Sequence, residues 1–310
     1  MKKIYILILF ILSITNTIAQ QTFVPDDNFE QKLIVLGYDN VLDDFVLTAN
    51  ISSVVELDVS GNNINGQGIT DLTGIEGFIA LEVLKCGGNR LTNLDVSNNT
   101  ALKYLDCKEN KFISSLNLNN NTALTFLNCY DNDLANLDVS NNTDLKELYC
   151  FINEINSLNI VNNTNLEVLA CHYNNLTSIT LGNNQNLTHL FCKGNNLSTI
   201  DVSQLSRLYT LEAIDNNISS IDLSNNTNLS YIYLSDNQLS NLDVSSLPNL
   251  SVLLCKNNQL TSLDVRNGNQ IYVTLFDSSG NSGLANILVD DPNGSYLSSW
   301  IKDTNTNFSE

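Results

Sequence analysis

Seven cysteines, Cys86, Cys107, Cys129, Cys150, Cys171, Cys192 and Cys255, fall on one spacing of 21 or 22 residues, with two further places in the series taken by Ala213 and Leu234. Three residues after each place comes an asparagine: Asn89, Asn110, Asn132, Asn153, Asn174, Asn195, Asn216, Asn237 and Asn258. An earlier copy, Val54-x-x-Leu57-x-Val59-x-x-Asn62-x-Ile64, extends the series to ten. A unit this short cannot enclose an apolar core by itself. It has to bury its apolar face against the next copy, so the chain is constrained to stack as a solenoid.

Within one unit, Leu102-x-x-Leu105-x-Cys107-x-x-Asn110-x-Phe112 sets out the apolar positions. The preceding half, Leu91-x-x-Leu94-x-Val96-x-x-Asn99-x-x-Leu102, has the same spacing, so the period is two nested half-repeats. Alternation of the Leu-x-Cys and Leu-x-Val kind turns two apolar side chains to one face of an extended segment, which predicts a short strand in each half. Successive turns at a strand spacing of ~4.8 Å then give two parallel sheets with the Leu, Cys and Val rows between them. The expected fold is mostly β, a solenoid of two parallel β-sheets. With Cys in the third apolar slot, the pattern resembles leucine-rich-repeat proteins, in particular the IRREKO-type bacterial class and, more broadly, internalin-like solenoids, over roughly residues 51 to 281. That resemblance implies a secreted or cell-surface protein whose Leu-x-Leu strands line a concave, ligand-contacting side. Members of the group often continue into a C-terminal sorting domain or other surface modules.

Both landmark rows have structural explanations. An asparagine amide at a tight turn bonds backbone groups that the strand leaves unpaired. Cysteine acts as a small hydrophobe, which agrees with Ala213 and Leu234 filling its slot. Sulfurs spread along a line do not converge as zinc ligands must. An odd number of inward cysteines predicts reduced, buried thiols, with disulfides between adjacent rungs as the alternative.

The ends depart from the repeat, as repeat arrays require. Asp27-Asn28-Phe29-Glu30 reads as a capping box opening a short helix that ends near Gly37, with Phe29, Leu33 and Leu36 on one face. Residues 20–50 are expected to form this N-terminal cap and residues 51–282 the solenoid of about ten repeats, with an insertion around Gly66-Gln67-Gly68. A degenerate rung at Tyr272 to Phe276 leads into a C-terminal cap over 283–310, where Trp300 is expected to seal the core.

Residues 1–19 carry Lys2 and Lys3, an apolar stretch from Ile4 to Ile14 and the small-residue end Thr17-Ile18-Ala19, the pattern of a secretory signal peptide. That predicts a secreted, extracellular or cell-surface protein without membrane insertion. A formal net charge of −19, more negative still once Lys2 and Lys3 leave with the signal, repels nucleic acid and anionic lipid.

Core rows are fixed by packing, whereas outward rows are free to serve function. Around the Leu-x-Cys strands, the outward positions hold Tyr104, Phe126, Tyr130, Tyr149, Phe151, Phe191, Tyr231 and Tyr233, together with both histidines, His172 and His189. The Leu-Asp-Val half has no aromatic residue at these positions and presents Asp138, Ser140, Asp201, Ser203, Asp222 and Ser224 instead. An exposed aromatic sheet face is a candidate contact surface, because Tyr and Phe supply large contact area at small entropic cost. These ten residues are the expected ligand-binding positions, for an extracellular protein or a polysaccharide. The contrary reading is a passive spacer whose aromatic ladders only stabilise the sheet. His172 and His189, on neighbouring rungs, can approach each other, but no nucleophile with an orienting acid stands near them, so no enzyme is expected. Asp201, Asp222, Asp243 and Asp264 on successive rungs suggest bridging Ca²⁺, but Asn117, Asn159 and Thr180 interrupt that row. The expectation is a monomer with no cofactor and no metal.

Overall fold

The computed structural model describes residues 19–61 and 68–310. The signal segment up to Ile18, together with Asn62, Ile64, Gly66 and Gln67, lies outside the described residues.

Eleven strands of three residues each, from Glu56–Asp58 to Leu275–Asp277, form one parallel sheet in continuous register. The central residue of each strand points inward, from Leu57 through Leu148 and Ile232 to Phe276, and all of these are buried. The cysteine row lies beside them, fully buried and unpaired. Burial pushes these thiols up, Cys150, Cys192 and Cys255 to about 12. Each buried Leu stabilises the stack by roughly 1.5–3 kcal/mol, so the core is cumulative along the solenoid.

The other half of each repeat forms strands only in places. Ser157–Asn159 pairs with Ser178–Thr180, and Asn241–Asp243, Ser262–Asp264, Asn286–Leu288 and Asn307–Ser309 make a four-stranded parallel sheet. Asp95, Asp138, Asp201 and Asp222 each accept the backbone N–H two residues on, at 2.9–3.0 Å, and Asp243 and Asp264, which stand in strands, do the same at 2.9 and 3.0 Å, so this local turn coexists with the ladder.

The asparagines three residues after the cysteine slot tie rung to rung. Asn174 Nδ2 donates to the carbonyls of Cys171 and Cys150, each at 3.0 Å, while its Oδ1 accepts the N–H of Ile155 at 3.0 Å. From the Cys86 rung onward the chain turns through the left-handed region two residues after the cysteine slot, at Gly88, Glu109, Asp131, Ile152, Tyr173, Gly194, Asp215, Asp236, Asn257 and Gly280. Gly, Asp and Asn tolerate that conformation, whereas the β-branched Ile152, at φ 52°, is strained there.

One rung corrects the sequence register. Phe112, expected at an apolar position, is 51% exposed, and Ile113 is buried in its place. The extra residue between Cys107 and Cys129 causes this. The chain bulges at Lys111, itself at φ 68°, and Asn132 Oδ1 is left without the N–H that its counterparts accept.

At the N-terminal end, helix α1 spans Asp27–Val35 and Asp26 is its N-cap, accepting from the N–H groups of Asn28 and Phe29. Phe29 and Leu33 are buried as expected, but Leu36 is 42% exposed because the helix ends before it. Glu30 does not close a capping box. Its carboxylate accepts the N–H groups of Asp43, Asp44 and Phe45, pinning the loop that leads into strand Phe45–Leu47. At the other end Trp300 is buried, stacked on Phe276 at 4.1 Å with Tyr296 and Phe308 at its edges. Among the described residues, no helix is long and apolar enough to cross a membrane.

Candidate functional site

In a three-residue strand whose centre points inward, both flanking residues point out, and in-register pairing sets equivalent residues side by side. Aromatic rings on neighbouring strands therefore meet. Tyr104 and Phe126 are register partners and stack at 4.1 Å with planes 2° apart, and Tyr149 leans on Phe126 at 5.7 Å. A second column follows the cysteine slot: Tyr130, Phe151 and His172 stack at 4.3 and 4.2 Å. Lys108 lies 5.9 Å from the Tyr130 ring, and the Tyr130 hydroxyl bonds the Glu109 carboxylate. His189, Phe191 and Tyr231 belong to a third cluster, with Tyr233 on the same strand as Tyr231.

All ten residues expected from sequence flank this sheet, and each is half-buried rather than fully exposed. The two histidines keep separate company. His172 packs on Phe151 and Tyr173, whereas His189 packs on Phe191 and Tyr209. Tyr173 and Tyr209, 47% and 42% exposed, were missed because each stands one residue beyond the three outward positions of its rung. Their aromatic character was the available signal.

Three ion pairs stand on this face. Lys85 pairs with Glu56 at 2.7 Å, Lys103 with Glu82 at 2.8 Å and Lys108 with Asp106 at 3.5 Å. Burial, followed by the neighbouring carboxylates of Glu109 and Glu147, pushes the Tyr130 and Tyr149 hydroxyls up to about 12, so both stay protonated hydrogen-bond donors at neutral pH. Burial, with a smaller contribution from the Lys193 charge, holds the His172 imidazole below its ordinary 6.5. The unfolded chain therefore takes up a proton here at a higher pH than the folded one, and the native state loses stability as pH falls through 6.5. His172→Phe keeps a ring in the stack and removes that titration. The wild-type melting temperature is expected to fall relative to the variant as pH is lowered from about 7 to 5, and parallel curves would refute the assignment.

Asp27, Glu30 and Asp44 bring carboxylates within 4.8 Å of one another on the N-terminal cap, where Glu30 is already committed to backbone N–H groups.

No protein-family model and no curated protein matches the chain. Among solved structures, the functional domain of InlJ from Listeria monocytogenes, which includes a cysteine ladder, is 29% identical with a TM-score of 0.69, covering 94% of this chain and 73% of that one. An internalin C2 from the same organism is 27% identical with a TM-score of 0.54, covering 76% of this chain and 95% of that one. The internalin inlF, also from Listeria monocytogenes, is 22% identical with a TM-score of 0.58, covering 93% and 96%.

Proposed function

From the premise that the chain is a leucine-rich-repeat solenoid of internalin-like architecture, we propose that it is an extracellular or cell-surface recognition module that binds a protein partner through the aromatic face of its eleven-stranded sheet. The self-stacking of that face carries the reading. Rings packed at 4.1–4.3 Å cover one another's flat sides and turn their edges to solvent, rigid before any partner arrives. A sugar stacks on an open ring face, which these columns do not offer. A protein surface packs against ring edges, hydroxyls and paired charges, and prior ordering lowers the entropic cost of association. The signal peptide read in residues 1–19 supplies export.

The test replaces Tyr149, Phe151 and Phe191 together with Ala and measures equilibrium binding of the labelled protein to cells, with and without protease treatment of those cells. Wild-type binding is expected to be protease-sensitive, and the triple variant, checked by circular dichroism to be folded at the assay temperature, to bind at least about tenfold more weakly. Equal binding by the variant, or none by the wild type, would return the chain to the spacer reading.

A further inference from the structure

The repeat is self-similar enough that departures from it need a cause. The rung over 203–213 departs at two buried and two exposed rows. Leu205 stands where Asn163, Asn184 and Asn226 occupy neighbouring rungs, and Ala213 takes the cysteine slot. Both are fully buried, so packing accounts for them. Arg207 interrupts a row of amides, Asn165 and Asn186 before it and Asn228 and Asn249 after, while Tyr209 stands between Thr188 and Ser230. Both side chains are exposed, and nothing in the core requires either.

Arg207 and Tyr209 line one groove of about 540 Å³ together with Thr188, Asn228, Ser230 and Asn249. The Arg207 guanidinium donates to Asn186 Oδ1 at 3.0 Å, and among the described residues no carboxylate stands within ion-pair distance of it. In a chain of net charge −19 that is an uncompensated cation with most of its five donors uncommitted. Tyr209 meets His189 and Tyr231 edge to face, at 6.1 and 5.3 Å, and is not sandwiched as Phe151 is. The Asn228 and Asn249 amides each spend one bond on the previous rung, to the carbonyls of Ser206 and Thr227, and keep their oxygens for other donors. The Thr188 hydroxyl donates to the Glu167 carbonyl at 2.9 Å, and its oxygen lies 2.8 Å from His189 Nδ1.

We propose that this groove binds a carboxylate-bearing sugar residue of a glycan, Arg207 supplying locally the positive charge that the net charge of −19 denies an anion elsewhere. The carboxylate meets the planar guanidinium of Arg207 as a two-point pair, the sugar ring lies on Tyr209, and its hydroxyls donate to the free amide oxygens of Asn228 and Asn249. Arg207 alone would also suit an acidic peptide. The aromatic platform with a row of neutral amides favours the sugar, since hydroxyl-rich rings need acceptors at several points and an aspartate side chain does not. The groove borders the aromatic face, which Tyr209 touches through His189 and Tyr231, while Arg207 lies outside the residues assigned to the protein contact.

Calorimetric titration of the intact chain with galacturonate oligomers tests it, with neutral galactose oligomers and polyglutamate as companion probes. Expected are saturable binding of the uronate, at least tenfold weaker binding of both companions, and at least a tenfold loss in R207Q and in Y209A. R207K, which keeps the charge without the fork, should recover only part. R207Q replaces an exposed side chain and is expected to melt with the wild type, so it decides the matter if Y209A is unstable. No uronate binding by the wild type, equal binding by R207Q, or polyglutamate bound as tightly as uronate would each overturn the proposal. Protease-sensitive cell binding should persist in R207Q, which separates failure here from failure of the protein-binding reading.

Discussion

Asn174→Ala is expected to lower the stability of the solenoid by about 2–5 kcal/mol, a large loss for a polar side chain. Removing the amide orphans the Ile155 N–H and takes one of two amide donors from each of the buried carbonyls of Cys150 and Cys171, which keep Asn153 and Asn195 as partners. The orphaned N–H costs about 1–3 kcal/mol and each lost hydrogen bond about 0.5–1.5 kcal/mol. Asn132 provides the internal control. Its Nδ2 donates in the same way, to Cys107 and Cys129, but its Oδ1 accepts nothing because the bulge at Lys111 has displaced the donor. Asn132→Ala should therefore cost less than Asn174→Ala by about 1 kcal/mol or more. Urea unfolding of the two variants measures the difference. Equal losses would show that the accepted N–H contributes nothing and that the row acts through its donated bonds alone.

Leu148→Ala is the matching experiment for the apolar core, with an expected loss of about 2–5 kcal/mol. Leu148 is fully buried at the centre of strand Glu147–Tyr149, with Leu127 and Leu169 as register partners on either side. The cavity opens between two rungs, and neither can close on it without breaking register with the next. In a one-dimensional stack the lesion sits at an interface between neighbours, so unfolding should also become less cooperative, read as a lower denaturant dependence as well as a lower midpoint. A variant melting with the wild type would contradict the inward orientation of this row.

Much of this architecture was legible in the sequence because a repeat states the same packing problem ten times. Leu, Cys and Asn recur where side chains point inward, and period alone locates them. The discrepancies arise where one side chain or one extra residue settles a local choice. The Leu-Asp-Val half forms strands only in places although Asp138, Asp222, Asp243 and Asp264 all bond the N–H two residues on, so the break follows neither that turn nor the spacing. The single added residue before Cys129 exchanges Phe112 for Ile113 in the core, which the 22-residue interval signalled without saying where the slack is taken up. Glu30 has the spacing of a capping residue but bonds a loop 13 to 15 residues away. On the contact face the ring stacking follows from register, and Tyr173 and Tyr209 were hidden by drawing the outward rows one residue too narrow.

The buried thiols also set an order of events. Once the rungs are stacked, the seven sulfurs are beyond the reach of solvent and held as neutral thiols. Before stacking, every one is open to oxidation, and pairs on adjacent repeats are close along the chain. In an oxidising compartment the protein is thus in a race between rung assembly and disulfide formation. The topology favours the first, since each rung needs only its immediate neighbour and assembly can begin anywhere and spread. Rapid stacking protects the nascent chain, and burial protects the finished one.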